Sequence, residues 1–364
     1  MFANRHTSVV APPRSFSPEF AVRFRPAIEI AFYAALGLAS IAGCRKSAAN
    51  VQGHEASLLV AAYDPARSLV AETRQRLATD ATAHGSTVTI RESFGGSGKQ
   101  ARAVVDGLPA DVVLLGLEDD VDALADAKLV RSDWKQGREG NLAPYTSTVV
   151  FLVRGGNPKG VHDWSDLARR DVALVAPNPK SASAAKLTYL AAWGWALRQP
   201  GGSEQSAEAL VRALYTKAVV LDATARAATT TFVQNGIGDV LVTWENEAYL
   251  ARDEAMSTPL EVVLPSASIL AEPAVAVVDA NVDAHGTRPL AERFLAALAS
   301  PAGQESAARA HLRPRDTKTL ASHRGEFGDL ALFTVAEVFG SWSAAKAAHF
   351  ATGARLDRIL EARR

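Results

Sequence analysis

The sequence has 364 residues, too many for one compact core, and its length indicates two domains or lobes. With 48% hydrophobic and 21% charged residues, the chain can bury enough apolar surface to fold, which excludes extended disorder. Its 39 basic and 39 acidic residues give no net charge, which excludes a long-range electrostatic attraction to nucleic acid or to an anionic membrane. Its single cysteine excludes an internal disulfide and any multi-cysteine metal centre.

The N-terminal region has the order of a secretory signal. Arginines precede an uncharged apolar run over 30–42 that ends in small residues. The run holds about a dozen residues, below the roughly 20 that a membrane-spanning helix needs. Ile41-Ala42-Gly43-Cys44 resembles the lipobox of bacterial lipoproteins, although Cys44 at an ordinary cleavage site is the alternative. We predict a signal peptide over 1–43, lipidation at Cys44 and a tether over 44–56.

The rest of the chain alternates short buried strands with helical periodicity, which predicts a mostly parallel α/β fold. The predicted strands span 58–63, 88–90, 111–115, 148–153, 173–176, 219–221, 240–244, 262–264 and 274–278. The predicted helices span 66–82, 100–108, 121–127, 185–197, 206–214 and 227–235, with further helices from 289 onward. This pattern favours two lobes joined by strands over two independent domains connected by a linker.

Several predicted strand-to-helix junctions carry residues suited to an anion, because helix N-termini present unpaired N–H groups. Asp64-Pro65 is predicted to cap and start a helix. The glycines of Phe94-Gly95-Gly96-Ser97-Gly98-Lys99 allow close backbone approach, but the residues fit neither a P-loop nor a serine-hydrolase elbow. The remaining junctions are 177–184, Thr224-Ala225-Arg226, and the strand that ends in Trp244.

These motifs, with others along the chain, resemble the periplasmic sulfate-binding proteins of sulfate/thiosulfate ABC importers. The resemblance runs from about Leu58 to the C-terminus. It rests on Tyr63-Asp64-Pro65, Gly95-Gly96-Ser97-Gly98-Lys99-Gln100-Ala101-Arg102, Pro177-Asn178-Pro179-Lys180, Gly236-Ile237-Gly238-Asp239-Val240, Trp244-Glu245-Asn246-Glu247-Ala248, Ile269-Leu270-Ala271-Glu272-Pro273 and Arg313-Pro314-Arg315-Asp316, among others.

The resemblance implies a two-lobed, type II binding protein that closes over a dianion in the cleft between its lobes. The implied contacts are the backbone N–H groups of Asp64, Ser97, Ser183, Ala184 and Ala225, with the indole N–H of Trp244. Ala182 stands where the family has a serine hydroxyl, so Ser183 is the candidate to supply that donor. The resemblance also implies lobes over 57–143 plus 262–320 and over 144–261, and leaves 321–364 unassigned.

The predicted function is binding of sulfate or thiosulfate outside the cytoplasm, as a monomer, and delivery to the transmembrane subunits of an ABC permease. Sulfate carries no proton at neutral pH and needs only donors, whereas phosphate keeps a proton and needs an acceptor, so sulfate should bind better. The alternatives are another tetrahedral oxyanion such as molybdate or phosphate, hydrolysis of a sulfate or phosphate ester, and a ligand-sensing subunit for a signalling partner.

Neither a cofactor nor a metal site is predicted. The eight histidines show no paired-ligand spacing and are expected at the surface. Glu245 and Glu247 form a possible acid–base pair, but a salt-bridged hinge strand or a helix start is the favoured interpretation. Arg226 is expected to pair with a carboxylate near the cleft.

Overall fold

The computed structural model describes residues 55–136, 143–182, 185–255 and 259–363, and Cys44 and the predicted signal and tether up to 54 lie outside these ranges. Two sheets dominate the described part of the chain. In the first, a four-stranded sheet, the strand order is β11-β3-β1-β2, with β11 antiparallel to β3 and the other pairs parallel. Its strands are β1 (Glu55–Tyr63), β2 (Thr87–Gly95), β3 (Val112–Leu115) and β11 (Ala274–Val277).

Helices cover both faces of the first sheet, which explains why the central strand β1 is a continuous apolar run. Leu58 and Val60 pack into one hydrophobic cluster, while Leu59 and Ala61 pack into another on the opposite face. The helices of this half are α1 (Arg67–Ala83), α2 (Ser97–Val105), α3 (Glu118–Asp126), α8 (Asp279–His285), α9 (Arg288–Ala299) and α10 (Pro301–Arg309).

The second sheet has five strands in the order β7-β6-β8-β5-β9, and β5 is antiparallel to both of its neighbours. Its strands are β5 (Val149–Arg154), β6 (Leu174–Pro177), β7 (Val220–Asp222), β8 (Val240–Trp244) and β9 (Leu260–Val263). The helices around it are α4 (Ala185–Leu197), α5 (Glu204–Lys217), α6 (Ala225–Val233) and α7 (Glu245–Glu254). Val262 and Val263 pair with β5, so this sheet extends past the lobe boundary predicted after 261.

The chain crosses between the two sheets at two closely paired segments. Residues Ser147 and Ala271 exchange backbone hydrogen bonds of 2.9 and 2.8 Å. Beside them, the two-residue strands β4 (Tyr145–Thr146) and β12 (Arg313–Pro314) pair antiparallel. This arrangement, with one sheet on each side of the crossing strands, is the predicted two-lobed α/β architecture.

The C-terminal elements, which the sequence left unassigned, pack mainly on the helices of the second sheet. Helix α14 (Arg355–Glu361) contacts α5, and β13 (Ala331–Phe333) pairs with β10 (Ala267–Ile269). A contact to the first half also exists, because Lys346 lies 2.8 Å from Asp119 of α3. The other elements here are α12 (Val335–Phe339), α13 (Trp342–Ala345) and a π-helix over Lys346–Phe350. Helix α11 (Thr317–Ser322) instead packs on α10 and β12.

Two short 3₁₀ helices, Asp64–Ala66 and Asp166–Ala168, complete the described elements. Within the described ranges, none of the helices combines the length and the apolar character needed to cross a bilayer.

Candidate anion-binding site

A cavity of about 240 Å³ lies where strands of both sheets end, and we call it the interlobe cavity. This is the position where open α/β sheets bind ligands, beyond the carboxyl ends of their strands. The cavity brings together five residues that the sequence predicted for the site: Asp64, Ser97, Ala182, Ala225 and Trp244. Ser183 and Ala184, the two other predicted contacts, lie outside the described residues.

Helix α2 points its N-terminus into the cavity from the first lobe. Gly96 is its N-cap and has extended backbone, so Ser97 and Gly98 are the first helical residues and their amides have no acceptor within the helix. The amides of Lys99 and Gln100 already donate to the Gly96 carbonyl. Ser97 and Gly98 therefore present the available amides of this terminus.

The hydroxyl of Ser97 is engaged away from the cavity. Its oxygen accepts a 2.8 Å hydrogen bond from the Gly116 amide, and its O–H donates to the carboxylate of Asp120. Ser97 thus contributes its backbone to the cavity, while its side chain ties α2 to the first residues after β3. A nucleophilic role for Ser97 has no support in this arrangement.

Asp64 lies at the cavity, but its predicted role as a helix cap is wrong. Tyr63 takes the N-cap position of the 3₁₀ helix, and no side chain caps it. The Asp64 carboxylate instead accepts a 2.9 Å hydrogen bond from Arg67. The reason is that Asp64 is itself the first residue of a 3₁₀ helix, which delays the start of α1 to Arg67 and places the Arg67 guanidinium within reach.

The second lobe contributes the N-terminus of α6. Thr224 is its N-cap, and the Thr224 hydroxyl accepts from the Ala227 amide at 3.1 Å, which leaves the Ala225 amide as a first-turn donor. Ala182 also lines the cavity, but its amide donates to the Asn178 carbonyl at 2.9 Å. Ala182 therefore shapes the wall and offers neither a hydroxyl nor a free amide hydrogen.

Trp244 is the last residue of β8 and is 1% exposed. Its ring packs edge-on against Tyr63 of the first lobe, with the ring centroids 5.8 Å apart. Among the described residues, the buried indole nitrogen Nε1 has no hydrogen-bond partner. Because buried donors are rarely left unpaired in folded proteins, the Trp244 indole is a candidate donor to a ligand in the cavity.

The cavity also has charged residues, of which only Arg226 was expected near the cleft from the sequence. Lys99, Arg102 and Arg226 line it with their positive charges, and Glu247 lines it with a buried carboxyl. Arg226 Nη1 lies 3.9 Å from Glu247 Oε2, as expected for an arginine near a carboxylate of the cleft. The lining is therefore not purely a set of neutral donors.

Glu247 and Glu245 begin helix α7 directly after Trp244, which is the helix start favoured from the sequence. Burial raises the pKa of Glu247, the nearby Arg226 opposes this shift, and the charge of Asp64 reinforces it. Glu245 points elsewhere and forms a buried bidentate pair with Arg313, with two N···O distances of 2.7 Å. The two carboxyls therefore do not act together.

The histidines are not all at the surface, which corrects the sequence prediction. His349 is buried against Tyr189 and Trp193, where an aromatic cluster encloses its ring. In the part of the chain that the structure describes, no group of three or more His, Cys, Asp or Glu side chains is arranged to hold a metal ion.

Comparison with known proteins identifies the family to which this chain belongs. The profile of the family described as "Bacterial extracellular solute-binding protein" matches residues 58–313. The Sulfate-binding protein of Escherichia coli (strain K12) is 47% identical over 318 residues, which are 86% of this chain and 95% of that protein. The Thiosulfate-binding protein of Pseudomonas aeruginosa is 48% identical over 276 residues, which are 76% of this chain and 83% of the relative.

Solved structures agree with this assignment. The sulfate-binding protein SubI from Mycobacterium tuberculosis H37Rv matches with a TM-score of 0.71 at 32% identity, over 81% of this chain and 99% of that one. A periplasmic thiamin binding protein matches with a TM-score of 0.61 at 17% identity, over 84% of this chain and 96% of that one, and supports the fold alone. The resemblance noted from the sequence is thus confirmed, and the chain belongs to the bacterial extracellular solute-binding protein family, with sulfate- and thiosulfate-binding proteins among its relatives.

Proposed function

We propose that this protein binds sulfate or thiosulfate outside the cytoplasm and delivers it to the transmembrane subunits of an ABC permease. The observation that carries the proposal is the buried, unpaired indole of Trp244 inside a cavity that also receives first-turn amides from α2 and α6. Each helix terminus adds a partial positive charge of about half a unit, which favours an anion. The relatives named above carry the names of sulfate- and thiosulfate-binding proteins.

In this proposal, the amides of Asp64, Ser97, Ser183, Ala184 and Ala225 and the Trp244 indole surround the anion. The two lobes, which we place at 55–143 plus 264–320 and at 144–263, close around it. Ester hydrolysis is not favoured, because the Ser97 hydroxyl is engaged by Gly116 and Asp120. The relatives reported above are named as binding proteins, not enzymes.

Calorimetric titration tests the proposal. The purified mature protein is titrated with sulfate, thiosulfate, molybdate and phosphate at equal ionic strength. We expect sulfate or thiosulfate to bind most tightly and phosphate to bind more weakly, because hydrogen phosphate carries a proton and needs an acceptor. Comparable affinity for phosphate would contradict the preference for sulfate. If none of the four anions produced a heat of binding, the proposed function would be overturned. Mass spectrometry under native conditions, on protein purified without added anion, identifies what is bound.

We further propose that 1–43 is removed as a signal peptide, that Cys44 is lipidated, that the tether predicted over 44–56 ends at 54, since Glu55 and Ala56 pair with β2, and that the protein acts as a monomer. The order of charges, apolar run and small residues supports the signal, and Ile41-Ala42-Gly43-Cys44 supports the lipid anchor. The intact mass of protein extracted from membranes tests this. An N-terminus other than an acylated Cys44 would contradict the anchor.

A further inference from the structure

The second-lobe wall of the interlobe cavity includes a loop over residues 178–182, which we call the wall loop. It follows β6, and its Ser181 lines the cavity. One side of the wall loop is attached to the end of β7. The Asn178 amide donates to the Asp222 carbonyl at 2.7 Å, and the Ser181 hydroxyl donates to the Ala223 carbonyl at 2.9 Å. Because Ala223 also lines the cavity, the wall loop and the end of β7 share one wall.

The other side of the wall loop is held by helix α14, near the C-terminus. The Nζ atom of Lys180 lies 2.7 Å from Oδ1 of Asp357. The second carboxylate oxygen of Asp357, Oδ2, accepts a 2.9 Å hydrogen bond from the Gly353 amide. These two donors, Lys180 more than Gly353, hold the pKa of the Asp357 carboxyl below its usual value. Asp357 is therefore charged at neutral pH, and a donor on each oxygen fixes the orientation of its carboxylate.

Helix α14 is itself firmly packed and can support the wall loop. Leu356 and Ile359 of α14 are buried. Arg355 forms an ion pair with Glu204 of α5, and its guanidinium lies 4.9 Å from the ring centroid of Trp193 on α4. The position of Asp357 is thus set by the helices of the second lobe and does not depend on the wall loop.

Lys180 acts on the cavity through the backbone of the wall loop. Among the described residues, Ser181 lines the cavity and Lys180 does not. The Lys180 amide donates to Asn178 Oδ1 at 2.9 Å. The amides of Ser181 and Ala182 donate to the Asn178 carbonyl at 3.1 and 2.9 Å. Lys180 therefore belongs to a compact turn, and an ion pair that fixes its head group also restrains the residues that line the cavity.

We propose that Asp357 is a positioning residue of the anion site, which holds the wall loop through Lys180 in the conformation that receives the ligand. The inference rests on the proposed function, since it concerns the same cavity. A loop that is ordered before the ligand arrives loses less conformational entropy on binding, which favours affinity. The family profile ends at residue 313, so this support comes from the C-terminal segment beyond it.

Calorimetric titration with sulfate tests the role of the pair in binding. The proteins compared are the wild type, D357N, K180Q and the double variant. We expect each single variant to raise the dissociation constant by about twofold to fivefold, as the loss of one partly exposed ion pair allows. Because the two side chains act as one pair, the double variant should bind no more weakly than the weaker single variant. Additive losses, or an unchanged dissociation constant in D357N, would overturn the inference.

R355Q is the matched control, because it removes the ion pair between α14 and α5 and leaves Lys180 and Asp357 in place. This variant should bind sulfate as the wild type does, even if its free energy of unfolding is lower. A loss of affinity in R355Q equal to that in D357N would show a general loosening of α14 and would overturn the positioning role.

Hydrogen exchange of the ligand-free protein, followed by mass spectrometry, gives a readout that does not depend on sulfate. Peptides that cover 178–182 should exchange faster in D357N than in the wild type and should keep the wild-type rate in R355Q. Equal rates in D357N and the wild type would overturn the inference alone. Absence of sulfate binding by the wild type would instead overturn the proposed function, and with it the role of Asp357 in anion binding.

Discussion

Trp244 is the single residue on which the proposed anion site depends most. Its indole is held by β8 on one side and by the ring of Tyr63 on the other, so the N–H is oriented before any ligand arrives. Such a donor loses little conformational freedom on binding, which favours affinity. The sequence alone identified an aromatic residue at a strand end. It could not tell whether the indole was paired within the core.

Trp244→Phe should weaken sulfate binding by roughly 1.5 to 3 kcal/mol, because it removes one hydrogen bond to a charged oxygen and keeps most of the packing. This corresponds to a dissociation constant larger by about tenfold to about a hundredfold. Calorimetric titration measures the change. The matched control is Trp195→Phe, since the Trp195 indole donates to Ser266 and does not line the cavity.

The control variant should bind sulfate as the wild type does, even if its stability is lower. An unchanged dissociation constant for Trp244→Phe would mean that the indole belongs to the core and does not contact the anion. Equal losses in both variants would point to a general loosening of the second lobe.

The π-helix Lys346–Phe350 contains a buried histidine that the sequence analysis expected at the surface. It places His349 inside an aromatic cluster, with the Tyr189 hydroxyl 3.1 Å from its Nδ1. Burial, reinforced by the positive charge of Arg355, lowers the pKa of His349 from 6.5 to about 4. The folded protein therefore holds this histidine neutral, while the unfolded chain protonates it at mildly acidic pH.

The free energy of unfolding should decrease at acidic pH, because unfolding allows His349 to take up a proton. The contribution of neutral His349 to the free energy of unfolding is complete above about pH 6.5, which is the pKa of histidine in the unfolded chain. This contribution is at most about 3 kcal/mol and is lost as the pH falls toward about 4. Urea unfolding across this range, for wild type and His349→Gln, measures the difference between the two slopes. His84→Gln, at an exposed histidine, should keep the wild-type slope. Parallel slopes for all three proteins would contradict the assignment.

The buried pair of Arg313 and Glu245 joins parts of the molecule that lie far apart in sequence. Arg313 belongs to β12, which pairs with the crossing strand β4, and Glu245 follows Trp244 at the start of α7. Burial raises the pKa of Glu245, and the two hydrogen bonds from Arg313 oppose this shift. The pair thus ties the crossing strands to helix α7, which begins directly after Trp244 and carries Glu247.

Glu245→Gln should destabilise the whole protein by about 3 to 5 kcal/mol, because it leaves the Arg313 charge buried without its partner. The free energy of unfolding in urea measures the loss. Glu272→Gln is the matched control, since Glu272 pairs with Arg315 at 3.0 Å in an exposed position and should lose less than about 1 kcal/mol. Similar small losses in both variants would show that the buried pair contributes little to the stability of the fold.

Sequence patterns predicted the apolar strands well, including the edge strand β11, and the more polar edge strand β2 poorly. β3 and β8 are continuous buried runs because both faces of each are covered, and both were predicted within one residue of their observed bounds, whereas β1 begins at Glu55, three residues before its predicted start. β2 was predicted over 88–90 but spans Thr87–Gly95, because this edge strand carries polar residues on its open side. Helix α2 begins at Ser97, three residues before the predicted start at 100, because Gly96 takes the N-cap position.

The amino-acid sequence by itself determined the α/β class, the two-lobed plan and the residues at strand ends, because buried strands and helix starts depend on local periodicity and backbone chemistry. Only the tertiary structure decided which donors remain available: the Ala182 amide and the Ser97 hydroxyl are engaged, whereas the Trp244 indole is not. It alone brought Glu247 into the cavity and Arg313 to Glu245. Hydrogen-bond partners and burial depend on residues far apart along the chain, which no local pattern records.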